Sequence, residues 1–496
     1  MKWTESDRAA LARHGLSPRV AERQLQVLRD PPKNIELIRP AIAGDGITII
    51  REQEMNRWTS SADEAADAGR VTKFVPASGA ATRMFRGLTS ALDPSESPGE
   101  EVGRFFRELD RFPFFESLQS IGEDRGIPVV DATTPDEQRE VLRLLLTDEG
   151  LGYAALAKGL VLFHRYEHEA RNAFEEQIRE GVRFASDRRV VRSHFTVPER
   201  DLHRFSIEAA RHAERIFDQL DIASETTFSI QHPSTDTIAA TTEGGPFRDD
   251  EGNLLFRPGG HGALLRNLDE IGGDFVFIKN IDNIRPEPFH EEIARWYRVL
   301  IGYLAELERR TFHALRSLDE DPSLGLELVA ELSRPWTGEP GDQEGIRRHV
   351  SGALNRPIRV CAAVRNEGEP GGAPFWVRDR DGGESLQIVE SSQVDSTDAD
   401  QMEVFRSSTH FNPVAIACSV RDRNGHPYEL GKFVDHEAAI VTRKSHQGRD
   451  LFALEHPGLW NGSMAGWISI FVELPAFTFA PVKTVFDLLR PEHQVS

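Results

Sequence analysis

Apolar and polar positions change their period several times along this chain, and each change marks a predicted element. Over residues 1 to about 68, apolar residues such as Leu11, Val20, Leu25 and Leu28 recur at near-helical spacing, broken by "DPPKN" and "AGDG". That predicts a helical N-terminal extension over 1–68, ahead of a larger domain over 69–490. From Lys73 to Ala77 the pattern becomes a short apolar run, which predicts the first buried strand. "DPSESPGEE" then opens a mostly helical insertion at about 91–155, carried by "VGRFFRELDRF" and "DEQREVLRLLL".

Beyond the insertion, strand and helix patterns alternate. "RVVRSHFTV" reads as a strand, "PERDLHRFSIEAARHAERIFDQL" as a helix with Pro in its first turn, and "ETTFSIQ" as a strand. "GALLRNLDEIG" reads as a helix, "DFVFIKNID" as a strongly apolar strand, and "EEIARWYRVLIGYLAELERRTFHAL" as a long helix. "GEPGDQEG", "NEGEPGGAP" and "RDGGES" predict a loop-rich region with short strands at about 335–400. "WISIFVELPAFTFAPVKTVFDLLR" returns to an apolar strand and a final helix. Alternation of this kind predicts an α/β fold with a mixed, mostly parallel sheet covered by helices. Ligands of such sheets bind beyond the carboxyl ends of strands.

Composition narrows the function classes. In 496 residues, 39% hydrophobic and 28% charged, no apolar run approaches the length of a membrane span. The polar N-terminus, "MKWTESDRAALARHG", does not read as a signal peptide. Two cysteines, Cys361 and Cys418, make neither a disulfide framework nor a thiolate cluster, so a reducing cytoplasm is expected. A net charge of −21 argues against nucleic acid or an anionic membrane as partner. The basic residues are nearly all Arg. Lysine occurs only at Lys2, Lys33, Lys73, Lys158, Lys279, Lys432, Lys444 and Lys483, so a lysine inside a motif stands out as a chosen point charge.

Six stretches carry candidate chemistry. "KFVPASGAATRMFRGL" ends a strand in the small residues Ser78, Gly79, Ala80 and Ala81, followed by Thr82 and Arg83. Small residues admit a bulky guest, and a helix start with an Arg beside it favours a phosphate; an ordinary strand–turn–helix connection is the alternative. "LAKGLVLFHRY" sets Lys158 before a glycine, as a ligand contact or a surface lysine at a turn. "SIQHPSTDTIA" ends a strand at Gln231, whose amide can read a base edge. "FRPGGHGALLRNL" surrounds His261 with Gly259, Gly260 and Gly262, a loop open to close approach or a packed turn. "FVFIKNIDNI" delivers Asn280, Asp282 and Asn283 at a strand's carboxyl end, where a carboxylate can hold Mg²⁺ or an Asp/Asn turn can form. "FTFAPVKTVFDLL" sets Lys483 between a β-like segment and an amphipathic helix. Asn461 in "LWNGSMAGW" is a possible second metal ligand or a structural turn residue.

In this order the segments "SGAATRM", "AKGL", "PGGHG", "NIDN" and "FAPVKTVFDLL" resemble the motifs of the UDP-sugar pyrophosphorylases, which are sugar-nucleotide nucleotidyltransferases. The match spans residues 71 to 490, and "FAPVKTVFDLL" is its most specific part. The whole chain also resembles a bacterial domain-of-unknown-function family of similar length. The resemblance implies a Rossmann-like nucleotide-diphospho-sugar transferase fold of the GT-A type. It implies nucleotide contacts at Ser78, Gly79, Thr82, Gln231, Gly260, His261 and Gly262. It implies catalytic cations at Arg83, Lys158 and Lys483, and Mg²⁺ on Asp282. The implied partners are a nucleoside triphosphate, with UTP favoured, and a sugar 1-phosphate, whose oxygen attacks the α-phosphorus as pyrophosphate leaves. The chain departs from the pattern at Ser78 and Ala81, where the family has glycine, and at Ala157, where it has proline. The β-helix that many relatives carry after the last motif is not found. Two other readings stand beside this one: a non-catalytic nucleotide-sugar-binding regulator, and a glycosyltransferase on the same fold. A Walker-type phosphotransferase is excluded, because its Gly-x-x-x-x-Gly-Lys-Ser/Thr pattern is missing.

Overall fold

Capping chemistry sets the first two helices. Thr4 accepts a hydrogen bond from the Asp7 amide and Asp7 answers to the Thr4 amide, which starts the helix Glu5–Arg13. Ser17 caps Pro18–Arg29, whose Ala21, Gln24, Leu25 and Leu28 form the buried stripe. A computed structural model describes residues 2–93, 99–332, 334, 337–339, 341–369, 371–379 and 382–495. Parts of "DPSESPGEE", "GEPGDQEG", "NEGEPGGAP" and "RDGGES" lie outside these residues.

The chain divides into two compact units. The first comprises Met1–Ala65, Gln231–Phe277 and Val299–Ala476. In it, Ile358–Arg365 runs parallel to Ile468–Leu474 and antiparallel to Ala415–Ser419. The N-terminal segment is not purely helical, as its period suggests. Gly46–Thr48 pairs in parallel with Ile468–Leu474, and Leu37–Pro40 joins a small antiparallel sheet with Ala373–Arg378 and Glu384–Val389. Leu37, Phe375 and Val389 form the core there, while Trp3, Leu11, Leu25 and Leu28 pack on Ile238, Ala240 and Leu454. The region expected to be loop-rich thus also contains the helix Gln343–Leu354 and three full strands.

The second unit comprises Ala66–Ile230, Ile278–Arg298 and Phe477–Ser496. Its parallel strands are Val71–Pro76, Val190–Val197 and Ala223–Ile230, joined in register Lys73↔Ser193 and Val190↔Ala223. The helix Leu202–Leu220 makes the crossover between the last two, the long connection that parallel strands require. The predicted insertion is helical, with Glu100–Arg107, Phe115–Arg125 and Pro135–Leu146. It contributes Phe105, Phe112, Phe114 and Leu145 to one core with Val75, Phe163, Phe174 and Phe195. The α/β class with a mixed, mostly parallel sheet therefore holds. Two local expectations do not. The predicted final helix is a single 3₁₀ turn, Val485–Leu489, held between Pro481 and Pro491. The helix start expected after the small-residue run is the 3₁₀ turn Ala81–Arg83, too short to align its amides toward an anion.

Most helices of such a fold bury one stripe. Ala173–Val182 is buried on every side, although it carries Glu175, Glu176, Gln177, Arg179 and Glu180. Each of the four charged groups meets a partner, as buried charges must. Among the described residues no helix is long and apolar enough to cross a membrane.

Candidate functional site

In the second unit, four sequence segments meet. The buried strand Val71–Pro76 continues one step, with the Ala77 amide donating to Thr196 at 2.8 Å, and then leaves the sheet. The Ala81 amide donates to the Leu156 carbonyl at 2.9 Å and the Lys158 amide to the Gly79 carbonyl at 3.0 Å. The small-residue loop is thereby tied to "LAKG". Thr82 adds a bond from its hydroxyl to the Ala154 carbonyl. The Val485 amide donates to Met84, and the Val482 amide to Asp282, both at 3.0 Å. Asn283 accepts from the Ala480 amide through its side chain.

This weave brings Lys158, Asp282 and Lys483 together. Lys158 Nζ donates to Asp282 Oδ2 at 2.8 Å, and Lys483 Nζ donates to the same oxygen at 2.9 Å. Lys158 also donates to the Val482 carbonyl. The lysines stand 124 and 201 residues from the aspartate in sequence. Lys158 and Asp282 are mostly buried, whereas the Lys483 side chain is 58% exposed. Burial pulls the Lys158 ammonium below its usual range, against the attraction of Asp282. Burial pushes the Asp282 carboxyl up, but the two ammoniums outweigh it and hold the group below the ordinary value of 3.8.

Glycine follows Lys158 for a reason of space. A Cβ on Gly159 would stand 3.2 Å from Ile281 and 3.3 Å from Phe205, inside ordinary contact distance. Ala157, where the related motif has proline, is buried and pairs with Ala80 in an isolated bridge.

Arg83 is exposed and makes no hydrogen bond or ion pair among the described residues. With Arg86, Gly87, Glu101, Thr484 and Phe486 it lines a cavity of about 360 Å³. Ser78 is half-buried, and Gly79 and Ala80 are exposed; a Cβ on Gly79 would meet nothing within 4 Å. The loop's outer face is open to a guest.

Asp282 can also be tested as a cation holder. Both lysines use Oδ2, and among the described residues Oδ1 accepts no hydrogen bond. No three His, Cys, Asp or Glu side chains among the described residues gather as metal ligands. The donor set fits a hard cation that takes one carboxylate oxygen here and its other ligands from phosphate and water.

The remaining expected site residues belong to the first unit. Gln231 is half-buried, and its amide has no hydrogen-bond partner among the described residues. His261 accepts from the Leu459 amide at Nδ1, stacks on Trp460 at 4.1 Å, and has Nε2 3.8 Å from the Glu390 carboxylate. Burial lowers its pKa to about 4, so it is neutral near pH 7. Gly260 has φ +73°, and a Cβ on Gly262 would stand 2.1 Å from the Pro457 carbonyl. These glycines admit the chain's own 455–458 segment. Asn461 is buried and donates to Ile388 and to Gln393, a structural pairing.

Two residues that matter locally were not singled out from the sequence. Asp487 accepts from the amides of Lys483 at 2.8 Å and Thr484 at 2.7 Å, fixing the base of Lys483. Thr484 and Asp487 form a Ser/Thr-x-x-acid capping pattern, a signal legible in "KTVFD". Gln177 donates to carbonyls of the 280–283 turn, and nothing in its local sequence announces that.

The family model described as a domain of unknown function, DUF4301, matches residues 4–494. The chain belongs to this family. No curated protein matches it. Among solved structures, it is similar to the uridine diphosphate N-acetylglucosamine pyrophosphorylase from Trypanosoma brucei in complex with an inhibitor. That similarity has 13% identity and a TM-score of 0.49, covering 98% of this chain and 79% of that one. It is also similar to a UDP-glucose pyrophosphorylase variant from Leishmania major in complex with UDP-glucose, again with 13% identity, 98% and 79% coverage, and a TM-score of 0.45. These structures come from the family that the motifs resemble. At such identity and overlap they carry no argument about the reaction, which has to rest on this chain's own residues.

Proposed function

We propose that the chain is a nucleotidyltransferase that forms a nucleotide-sugar and pyrophosphate from a nucleoside triphosphate and a sugar 1-phosphate. The observation that carries this reading is the convergence of Lys158 and Lys483 on one oxygen of Asp282. Two ammoniums on one carboxylate leave a net positive charge. Arg83, free of partners among the described residues, adds a second. That charge suits a phosphate chain better than it suits a closed ion pair. A partner-free Arg beside an open small-residue loop is a poor structural investment but a good phosphate contact.

The chemistry needs little else. A sugar phosphate is already anionic at neutral pH, so its attack on the α-phosphorus requires no general base. Catalysis is then mostly alignment and neutralisation of charge. Lys158, part-buried, would hold a substrate phosphate; Lys483 would turn from Asp282 to the phosphates; Arg83 would stabilise the departing pyrophosphate. Mg²⁺, held by Asp282 and the phosphates, would supply further charge neutralisation. Ser78, Gly79 and Thr82 would border the triphosphate, with UTP favoured by the motif resemblance. The reverse direction gives a direct test. Purified protein with Mg²⁺, pyrophosphate and a panel of nucleotide-sugars should release a nucleoside triphosphate. Release from none of them would reject the reading and favour a binding protein without catalysis.

A further inference from the structure

The turn that carries Asp282 has no regular secondary structure of its own, since the strand Phe275–Lys279 ends three residues before it. A side chain braces the turn, beside its own Asn283-to-Asn280 amide bond and the bridge of Asn283 with Pro481. Gln177 Nε2 lies 3.0 Å from the Asn280 carbonyl, 3.2 Å from Ile281 and 3.3 Å from Asn283. One amide group thus gathers three carbonyls on both sides of Asp282, while its own Oε1 is buried with no partner among the described residues. Side chains rarely leave an acceptor unsatisfied merely to fill space.

The helix turn behind Gln177 is itself fastened on two sides. Glu180 Oε2 accepts from Lys73 Nζ at 2.7 Å, and its Oε1 accepts from Lys279 Nζ at 2.5 Å. Lys73 Nζ also donates to the Gln177 carbonyl at 2.6 Å. All three side chains of this Lys–Glu–Lys set are fully buried. Lys73 lies on the strand that leads into the small-residue loop, and Lys279 closes the strand that leads to Asp282. One helical turn, Gln177 to Glu180, therefore grips the roots of both loops. Two further rare lysines are accounted for, away from any substrate.

We propose that Gln177 is a positioning residue: by collecting the carbonyls of Asn280, Ile281 and Asn283 on an anchored helix, it aims the Asp282 carboxylate at the phosphate site. This rests on the nucleotidyltransferase reading above for its consequence, though not for its geometry. A carboxylate that must meet two lysines and a cation needs a fixed direction, and a turn tied to its neighbour by one isolated bridge gains that direction from the clamp.

The test uses Gln177→Met, which keeps the length of the side chain and removes the donor. Hydrogen exchange of the amides at 280–284 should become at least about tenfold faster, with the Val190–Val197 strand unchanged as the internal control. In the pyrophosphate assay kcat should fall roughly ten- to a hundredfold, the range for losing the support of a site residue, with KM for the sugar phosphate nearly unchanged. A purely structural role would instead lower the folded fraction and speed exchange throughout the unit. If Gln177→Met does not fold, Gln177→Asn, an amide one methylene too short to reach all three carbonyls, is read by the same two measurements. Unchanged exchange at 280–284 overturns the clamp whether or not the protein is an enzyme. Faster exchange with unchanged kcat in a protein whose unaltered form is active overturns the positioning role. Faster exchange in a protein that makes no pyrophosphate leaves the clamp standing and removes the proposed reaction instead.

Discussion

Replacing Asp282 with Asn leaves Lys158 mostly buried with its charge uncompensated, and the size of the penalty follows from the geometry. Lys158 is 13% exposed, and among the described residues its ammonium bonds otherwise only to the Val482 carbonyl. Lys483, at 58% exposure, can turn to water, so its share of the cluster is worth less than about 1 kcal/mol. The cost therefore falls on Lys158. Breaking a buried pair costs about 3–5 kcal/mol. A ceiling comes from titration, because Lys158 can escape by losing its proton. From its ordinary value of 10.5, neutralising it at pH 7 costs at most about 5 kcal/mol, at about 1.4 kcal/mol per pH unit. The sign is fixed by linkage: below 10.5 the unfolded chain binds this proton more tightly than the folded one, so raising the pH relieves the penalty. We expect Asp282→Asn to lose about 3 kcal/mol at pH 7, or about 6–12 °C in Tm for a unit of this size. The same ceiling is only about 2 kcal/mol at pH 9, so the deficit should shrink by about a third between pH 7 and pH 9. Adding Lys158→Met should restore most of it, since the orphaned charge then goes too. Urea unfolding of both variants beside the unaltered protein at pH 7, 8 and 9 measures this. A deficit below about 0.5 kcal/mol, or one that grows with pH, would refute the buried-pair argument.

Three other outcomes follow from the same geometry. Arg83→Ala removes a side chain with no partner among the described residues, so Tm should move by less than about 1 °C while turnover falls about a hundred- to a thousandfold. Lys483→Arg should likewise leave stability within about 0.5 kcal/mol, yet slow pyrophosphate release substantially, because a planar fork cannot replace a point charge at one carboxylate oxygen and a phosphate. Gly159→Ala puts a methyl 3.2 Å from Ile281 and should cost about 1–3 kcal/mol in a denaturation series; a neutral result would mean that the 158–160 turn is loose.

The parts of the site written in unusual letters were legible in the sequence. In a chain that prefers Arg, Lys158 and Lys483 stood out, and Asp282 stood out by following an apolar strand; the structure brings these three together. Legibility ended where partners are distant. "FEEQIREG" has the polar content of a surface helix, and its burial depends on Lys73, Lys279, Arg215 and the 280–283 turn, none of which a local window contains. The small-residue run had the composition of a helix start, but the Ala81 amide goes to Leu156, and the chain makes only one 3₁₀ turn there. "KTVFDLL" had a helical period, but Pro491 stops it within one turn of its cap. The strands at 37–48 were hidden by their shortness, since two to four residues cannot display an alternation.

The central claim is that Lys158, Lys483 and Arg83 serve a phosphate chain during nucleotidyl transfer. It is tested most directly by pyrophosphate release from UTP and mixed sugar 1-phosphates with Mg²⁺, comparing the unaltered protein with Arg83→Ala and Lys483→Arg. The account predicts release that needs both the sugar phosphate and Mg²⁺ and that collapses in both variants with their folds intact. Equal release by all three proteins, or none by the folded unaltered protein with any nucleoside triphosphate, would contradict it.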